Sequence, residues 1–134
     1  MSNDSSIIAL NDDEFVRGFE SCELSPDLFH HRDHIRMARI YLDRLGPNAA
    51  TERFRSAIIR YAAHLGKSDK YHETITIAWM RLVIATSPED HDKLLDKKYI
   101  ETFYSPELLA TDSARTQFVE PDRAPLPQQR TATY

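Results

Sequence analysis

Apolar residues recur three or four positions apart along most of the chain, and this spacing predicts amphipathic α-helices. Phe15, Val16 and Phe19, followed by Cys22 one turn later, form the inward face of a first helix. The β-branched residues do not alternate with polar ones, and only 3 of the 134 residues are glycine, which argues against a sheet. The pattern therefore predicts an all-α fold.

Capping signals predict where the helices begin and end. Asn11 can cap the first helix, and Glu14 three residues later completes a capping box. Gly46 suits the left-handed position that ends a helix. Together with the apolar spacing, these signals predict a compact bundle of about five helices, followed by a short sixth segment at Ser105-Pro106-Glu107. Asn48 is the predicted cap of the third helix, and Ser68 or Asp69 that of the fourth. The five helices are expected over about 12–22, 30–45, 48–65, 70–86 and 87–97.

The two ends of the chain lack the helical pattern. Residues 1–9 are expected to form a flexible N-terminus. From Val119 to Tyr134 the chain contains Pro121, Pro125 and Pro127, which favour an extended strap over a helix. The expected organisation is one helical domain over residues 1–134 with this strap at its C-terminal end.

Charge and composition exclude several partner classes. The formal net charge is −4 and no stripe of Lys and Arg is interleaved with aromatic residues, so nucleic acid is not expected as a partner. The single cysteine, Cys22, excludes an intrachain disulfide and a cysteine-based zinc cluster. The longest apolar-rich run, Ile75 to Ala85, is far shorter than the ~20 residues of a membrane span. With no secretory signal at the start, a cytoplasmic location is expected.

Two histidines of the second predicted helix fall on its apolar face. At ~100° per residue, His31 and His34 share one stripe with Ala38, Leu42 and Leu45. The opposite side of this helix carries its arginines and aspartates. Both imidazoles are therefore expected to be buried, one turn apart.

The fourth predicted helix is apolar on almost every side and should lie at the centre of the bundle. Thr76 and Trp79 fall on the same face as His72, and Glu73 falls on a second, largely apolar face. Thr74 lies on the one strip expected to face water. A histidine in the first turn of a helix is favoured in its neutral form, which is the form that binds metal.

A buried three-histidine set is typical of a metal site. Three protein ligands with an open fourth position form the catalytic zinc pattern, and imidazoles also suit Fe, Ni and Cu. The sequence thus predicts a divalent transition metal held by His31, His34 and His72. Glu73 is the candidate general base or orienting carboxylate, while Tyr71, Thr76 and Trp79 are candidates for binding the substrate. The alternative is that each histidine is a core residue with a hydrogen bond to a carbonyl or a tyrosine.

Three motifs resemble those of a family of small, uncharacterised bacterial helical proteins. The first, FxHxxH followed by an aliphatic residue, lies at Phe29 to Ile35, and the second, KYHETxT, lies at Lys70 to Thr76. The third, ARxxFVEPDxxPLP after an upstream serine, lies at Ser113 to Pro127. The resemblance extends over about residues 14–127. It implies that the three histidines belong to one pattern and that the strap is a defined part of the domain.

The resemblance also raises the question of what the strap does. Arg115, Glu120 and Asp122 would lie near the site if the strap covers it. The favoured alternative is that these residues form surface ion pairs that hold the strap.

Three functions remain open from the sequence. The first is a metal-dependent enzyme that acts on a small organic molecule at the three histidines. The second is a metal-free enzyme in which a neutral histidine and Glu73 perform acid–base chemistry. The third is a non-catalytic module that binds a small ligand or a protein. A homodimer is an open alternative to a monomer in each case.

Overall fold

The predicted all-α fold is confirmed in a computed structural model, which describes residues 10–127. The expectations for residues 1–9 and 128–134 lie outside this range. Six α-helices and four 3₁₀ segments, and no strand, occur in the described range. The α-helices are α1 (Asp12–Glu20), α2 (His31–Leu45), α3 (Pro47–His64), α4 (Glu73–Ala85), α5 (Pro106–Leu109) and α6 (Asp112–Thr116), and the 3₁₀ segments are Pro26–Leu28, Ser68–Lys70, Pro88–Leu95 and Lys97–Thr102.

Helix α4 occupies the centre of this arrangement, as its apolar sequence predicts. It packs against α2, α3, α6 and the 3₁₀ segment Pro88–Leu95, while α2 runs along α3 and α1 contacts both. The core includes Met37 of α2 with Met80 and Leu82 of α4, whose side chains are fully buried. Across residues 10–127, none of the helices has the length and apolar character needed to cross a bilayer.

Helix α1 has the predicted start and a shorter end. Asn11 accepts a hydrogen bond from the Glu14 amide at 2.8 Å and its own amide donates to the Glu14 carboxylate at 3.2 Å, which confirms the capping box. The helix ends at Glu20, so the placement of Cys22 on its apolar face is wrong. Cys22 instead lies in the following turn, half-buried, with a φ of 65°.

The junction between α2 and α3 is tighter than predicted. Gly46 has a φ of 82°, and α3 begins directly at Pro47. Proline has a fixed φ that already suits the first helical position, and its missing N–H costs nothing there. Asn48 therefore lies inside the helix, and its predicted role as the cap is wrong.

The start of α4 differs most from its prediction. Gly66, at a φ of 72°, ends α3, and residues Ser68–Lys70 form a 3₁₀ turn before the chain extends. Helix α4 then begins at Glu73, three residues later than predicted, and His72 is its N-cap. The ring of His72 accepts a hydrogen bond from the Ile75 amide, so His72 is not part of the helix face on which its burial was predicted.

After α4 the helices are short. The predicted fifth helix is a 3₁₀ segment, Pro88–Leu95, and the predicted start at Ser105 is confirmed by α5, where the Ser105 side chain accepts from the Leu108 amide. The strap follows α6 without regular structure as far as residue 127. Thr74 is fully buried against it, contrary to the expectation that this residue faces water. Its hydroxyl donates to the Gln117 carbonyl at 2.9 Å and accepts from the Val119 amide at 3.1 Å.

Candidate functional site

A cavity of about 430 Å³ lies between α2, α3 and the start of α4. We call it the main cavity. Most of its wall is apolar, and its polar side chains come from α2, from the turn after α3 and from the start of α4. It is lined by Pro26, Phe29, His34, Ile58, Tyr61, Ala62, Leu65, Lys67, Lys70, Tyr71, His72, Ile75 and Thr76.

His34 presents the imidazole that is free to contact a ligand. Its ring stacks on Phe29 at a centroid distance of 4.1 Å, and it has no hydrogen bond to any described residue. Within residues 10–127, no fully buried side-chain nitrogen or oxygen lacks a partner. The nitrogens of His34 are therefore reachable from the cavity that the ring lines.

The surroundings of His34 favour its neutral form. The pKa of His34 is lowered from 6.5 to about 4, with burial as the largest cause; the neighbouring His31 lowers it as well, and the carboxylate of Asp33 opposes both. Charging an imidazole is unfavourable where water is excluded, since the charge loses its hydration. The ring is therefore neutral at physiological pH, with one nitrogen that donates and one that accepts.

Two further cavities meet at His34. A small chamber of about 60 Å³ lies between His31, His34, Thr76 and Trp79, and a more open groove of about 670 Å³ shares His31, His34 and Trp79 with it. We call them the inner chamber and the outer groove. His34 and Ile75 border the main cavity, the chamber and the groove. These two side chains therefore separate the three spaces.

His31 is fixed by the backbone on one side of its ring. Its Nε2 lies 2.8 Å from the Leu94 carbonyl, and its ring packs edge-on against Trp79 at a centroid distance of 4.6 Å. A carbonyl only accepts, so Nε2 carries the proton. Nδ1 then keeps its lone pair, in a ring that borders the inner chamber.

Both ring nitrogens of His72 have partners. Nδ1 accepts from the Ile75 amide at 3.1 Å, and Nε2 donates to the Leu109 carbonyl at 2.7 Å. The first bond caps α4, and the second joins the start of α4 to the end of α5. The edge of the ring lines the main cavity, but its lone pair is already used.

The predicted metal ligands are thus only partly brought together. His31 and His34 border one chamber, each with an available nitrogen, whereas the His72 lone pair accepts from the backbone. In the range 10–127, no group of three or more His, Cys, Asp or Glu side chains is placed to hold a metal ion. Of the three predicted ligands, the inner chamber brings together the two α2 imidazoles.

Glu73, the predicted general base, is engaged away from the histidines. Its two carboxylate oxygens accept from Nε of Arg55 at 2.9 and 2.7 Å, and one also accepts from the Tyr71 hydroxyl at 2.6 Å. Burial raises the pKa of Tyr71, and its hydrogen bond to Glu73 raises it further. Glu73 does not line the main cavity, the chamber or the groove.

Comparison of the chain with family models, with curated proteins and with solved structures gave no match. The grouping by the FxHxxH, KYHETxT and ARxxFVEPDxxPLP motifs stays a prediction.

The predicted substrate-binding residues line different spaces. Tyr71 borders the main cavity, Thr76 borders the main cavity and the chamber, and Trp79 borders the chamber and the groove. Phe29, Lys67 and Lys70 also line the main cavity and were not among the predicted site residues, although Lys70 begins the KYHETxT motif. Phe29 is the first residue of the FxHxxH motif, which was a usable signal, whereas nothing in the local sequence marks Lys67.

The strap takes no part in lining these spaces. Their walls are formed by residues between 26 and 110. Asp122 accepts from the amide and hydroxyl of Ser105 at 2.8 and 2.6 Å, and Arg115 lies 4.0 Å from Asp112. Asp122 therefore joins the strap to the start of α5, whereas the pair of Arg115 and Asp112 lies within α6.

Proposed function

We propose that this chain binds a small, largely apolar organic molecule in the main cavity, with His34 as its hydrogen-bonding partner. The observation that carries the proposal is the unpaired imidazole of His34 in an apolar wall. Ligand sites are typically apolar clefts of ~300–1,000 Å³ with a few polar groups that fix orientation. The main cavity, at about 430 Å³, fits this description.

The contacts favour binding over acid–base catalysis. Catalysis by a histidine and Glu73 needs the carboxylate close to the imidazole or to the bound molecule. Glu73 is instead held by Arg55 and Tyr71, outside the cavity walls. His34 can hold a ligand by donating or accepting one hydrogen bond, and a small-molecule partner in a cytoplasmic location is consistent with this role.

The first experiment tests whether the main cavity binds apolar molecules. N-phenyl-1-naphthylamine, a neutral probe that fluoresces in apolar surroundings, is titrated into wild-type protein and two variants. Ala62→Trp places a large side chain in the cavity wall, whereas Ala63→Trp alters the next residue of α3, which is exposed. We expect saturable binding by wild type and Ala63→Trp, and loss of at least tenfold in affinity for Ala62→Trp.

The second experiment tests the contact with His34. 1-Naphthol and 1-methylnaphthalene have the same ring system and differ by a hydroxyl in place of a methyl group, and both are measured by displacement of the fluorescent probe. One net hydrogen bond contributes about 0.5–1.5 kcal/mol, so wild type should prefer naphthol by roughly twofold to tenfold. His34→Phe keeps the stacking on Phe29 and should abolish that preference.

Two results would overturn the proposal. One is a folded wild-type protein to which neither probe nor naphthyl ligands bind at millimolar concentration. The other is binding that survives unchanged in Ala62→Trp, which would place the ligand elsewhere. Thermal unfolding of each variant separates loss of binding from loss of the fold.

A metal-dependent enzyme is the second candidate, and a specific observation favours it. A metal-binding histidine usually donates its other ring N–H to a carbonyl or carboxylate, as His31 does to Leu94. His31 and His34 would hold a divalent Zn, Fe, Ni or Cu ion at the inner chamber. Such an ion polarises a substrate carbonyl or activates a bound water.

Metal content of tag-free protein tests this candidate. Loss of stoichiometric metal in His31→Ala and His34→Ala, with retention in folded His72→Gln, supports the pair of α2 imidazoles. Loss in all three variants supports the three-histidine set predicted from the sequence. Wild-type protein that takes up none of the four metals on titration contradicts both versions.

A further inference from the structure

We infer that the molecule bound in the main cavity carries an anionic group, which Lys67 and Lys70 hold at the cavity mouth. The inference rests on the proposed binding function and names the chemical class of its ligand. That class is an aryl or alkyl carboxylate, with the apolar body inside the cavity and the carboxylate at the lysines.

The charged side chains that line the main cavity are all positive. Lys67 and Lys70 are the charged side chains among the cavity-lining residues, and no aspartate or glutamate lines the cavity. The chain as a whole has 21 acidic and 17 basic residues and a formal net charge of −4. A positive mouth on an acidic protein attracts anions that the rest of the surface repels.

Neither lysine is already neutralised by a neighbour. Lys67 and Lys70 form no ion pair with a carboxylate anywhere in the part of the chain that the structure describes. Arginines elsewhere do have such partners: Arg36 lies 3.0 Å from Asp12 and Arg44 lies 2.7 Å from Asp13. The two ammonium groups at the cavity mouth therefore remain available to an external anion.

The outer groove, in contrast, is lined by side chains of both charges. Lys97 and Lys98 line it, but Glu101 lines it too. A carboxylate ligand would meet both signs of charge in the groove and only positive charge at the main cavity. The contrast assigns the anion to the mouth formed by Lys67 and Lys70.

The backbone holds the two lysines at the same mouth. Gly66 is in the left-handed region at a φ of 72°, and the Gly66 and Lys67 amides donate to the Ala63 and Ala62 carbonyls at 3.0 and 2.8 Å. These two bonds form a Schellman motif, which gives the end of α3 a defined shape. The Lys70 amide then donates to the Lys67 carbonyl at 2.9 Å.

This turn fixes the two Cα positions while the exposed side chains stay free to adapt. An ammonium group acts as a mobile point charge and requires no single orientation of the carboxylate. The two ammonium groups can therefore adapt to a carboxylate carried by an apolar body that lies against His34.

A matched ligand pair tests the inference. 1-Naphthoate and 1-naphthamide share the ring system and nearly the same shape, but only the naphthoate is charged. Both are measured by displacement of neutral N-phenyl-1-naphthylamine at low ionic strength. Two partly exposed ion pairs should give wild type a preference for naphthoate of about threefold to tenfold, and added salt should reduce it.

Charge variants show where the preference originates. K67Q/K70Q should bind naphthamide as wild type does and bind both ligands equally. R17Q/K93Q is the matched control, since it also removes two positive charges from exposed positions but leaves the cavity lining unchanged. This control should keep the wild-type preference for naphthoate.

The possible failures are distinguishable. If the fluorescent probe binds in the main cavity but naphthoate and naphthamide bind equally, the anion inference is overturned and the proposed function stands. If K67Q/K70Q and R17Q/K93Q lose the preference alike, net charge causes it and the assignment to the two lysines is overturned. Tighter binding of 1-naphthyl phosphate than of naphthoate would overturn the carboxylate as head group. If no probe binds at all, both proposals fail.

Discussion

His34 and His72 line the same cavity, yet their ring nitrogens have different partners. The nitrogens of His72 are bonded to the Ile75 amide and the Leu109 carbonyl, whereas the ring of His34 is stacked on Phe29 and its nitrogens have no hydrogen bond within residues 10–127. A buried imidazole with both nitrogens bonded contributes to the fold. A reachable one without partners is available to a ligand, and its desolvation is a cost to stability.

That cost predicts a pH dependence of stability. The pKa of His34 is lowered from 6.5 to about 4, so between these values the unfolded chain binds the proton more readily than the folded protein does. Stability is full above pH 6.5 and falls as the pH decreases towards 4, by on the order of 3 kcal/mol for this group. In chelator-treated protein, His34→Phe should remove the contribution of His34 to the loss of stability at low pH.

Urea denaturation at several pH values gives the free energy of unfolding for wild type and variant. His64→Gln, which alters an exposed histidine of α3, is the control and should follow wild type. Carboxylates titrate in the same range, so the quantity of interest is the difference between His34→Phe and wild type. A difference that is constant from pH 4 to pH 7 would contradict the low pKa.

His72 gives a second prediction at the residue scale. His72→Ala removes the cap of α4 and also leaves the Leu109 carbonyl without its donor, so unfolding should become easier by about 2–3 kcal/mol. Asparagine is a good N-cap, and His72→Asn should recover roughly half of the loss because only the Leu109 bond is then missing. Equal losses in the two variants, measured by urea denaturation, would show that His72 does not cap α4.

At the scale of elements, the start of α4 shows what the sequence could and could not predict. The apolar spacing correctly predicts the helix itself and its central position. It misplaces the first turn, because the Schellman motif at Gly66 and the 3₁₀ turn Ser68–Lys70 delay the helix until Glu73. Histidine is not among the usual capping residues, so nothing in the sequence marks His72 as the cap.

In the candidate site, too, features within one helix are predictable from the sequence, whereas contacts between elements are not. His31 and His34 lie within one regular helix and both line the inner chamber, on the side that the periodicity predicts. Both are half-buried and not fully buried as predicted, and Leu45 of the same stripe is exposed because the stripe reaches solvent at the end of α2.

The role of Glu73 depends on its ion pair with Arg55 of α3, and the role of Lys67 depends on the other elements that form the cavity with it. Contacts between elements cannot be obtained from the period of a single helix, and this is why the role of Glu73 was not foreseen.

The contact between α4 and the strap provides a prediction at this scale. Thr74→Val keeps the shape of the buried side chain but leaves the Gln117 carbonyl and the Val119 amide without partners. We expect a loss of about 2–3 kcal/mol in the free energy of unfolding, together with faster hydrogen exchange at the Val119 amide. Thr74→Ser keeps the hydroxyl and should retain slow exchange at Val119. Fast exchange in both variants would mean that the hydroxyl does not hold the strap.

At the scale of the whole molecule, three bonds connect the segments that follow α4 to the helices around the site. His31 bonds to the Leu94 carbonyl, His72 to the Leu109 carbonyl, and Thr74 to the strap. All three lie along the start of α4 and the start of α2. They hold the walls of the cavities together, while the turn after α3 contributes the lysines of the mouth.

Ligand binding should therefore stabilise the whole folded unit. A ligand that binds only the folded protein adds about 2.7 kcal/mol of stability at 100 times its Kd. For a chain of this length, that corresponds to a rise in Tm of roughly 5–10 °C. Naphthoate at this excess should raise the Tm of wild type and of Ala63→Trp, and should raise that of Ala62→Trp by about half as much or less, because a tenfold loss of affinity reduces the added stability to about 1.4 kcal/mol. A similar rise in Ala62→Trp would show that stabilisation arises from a site other than the main cavity.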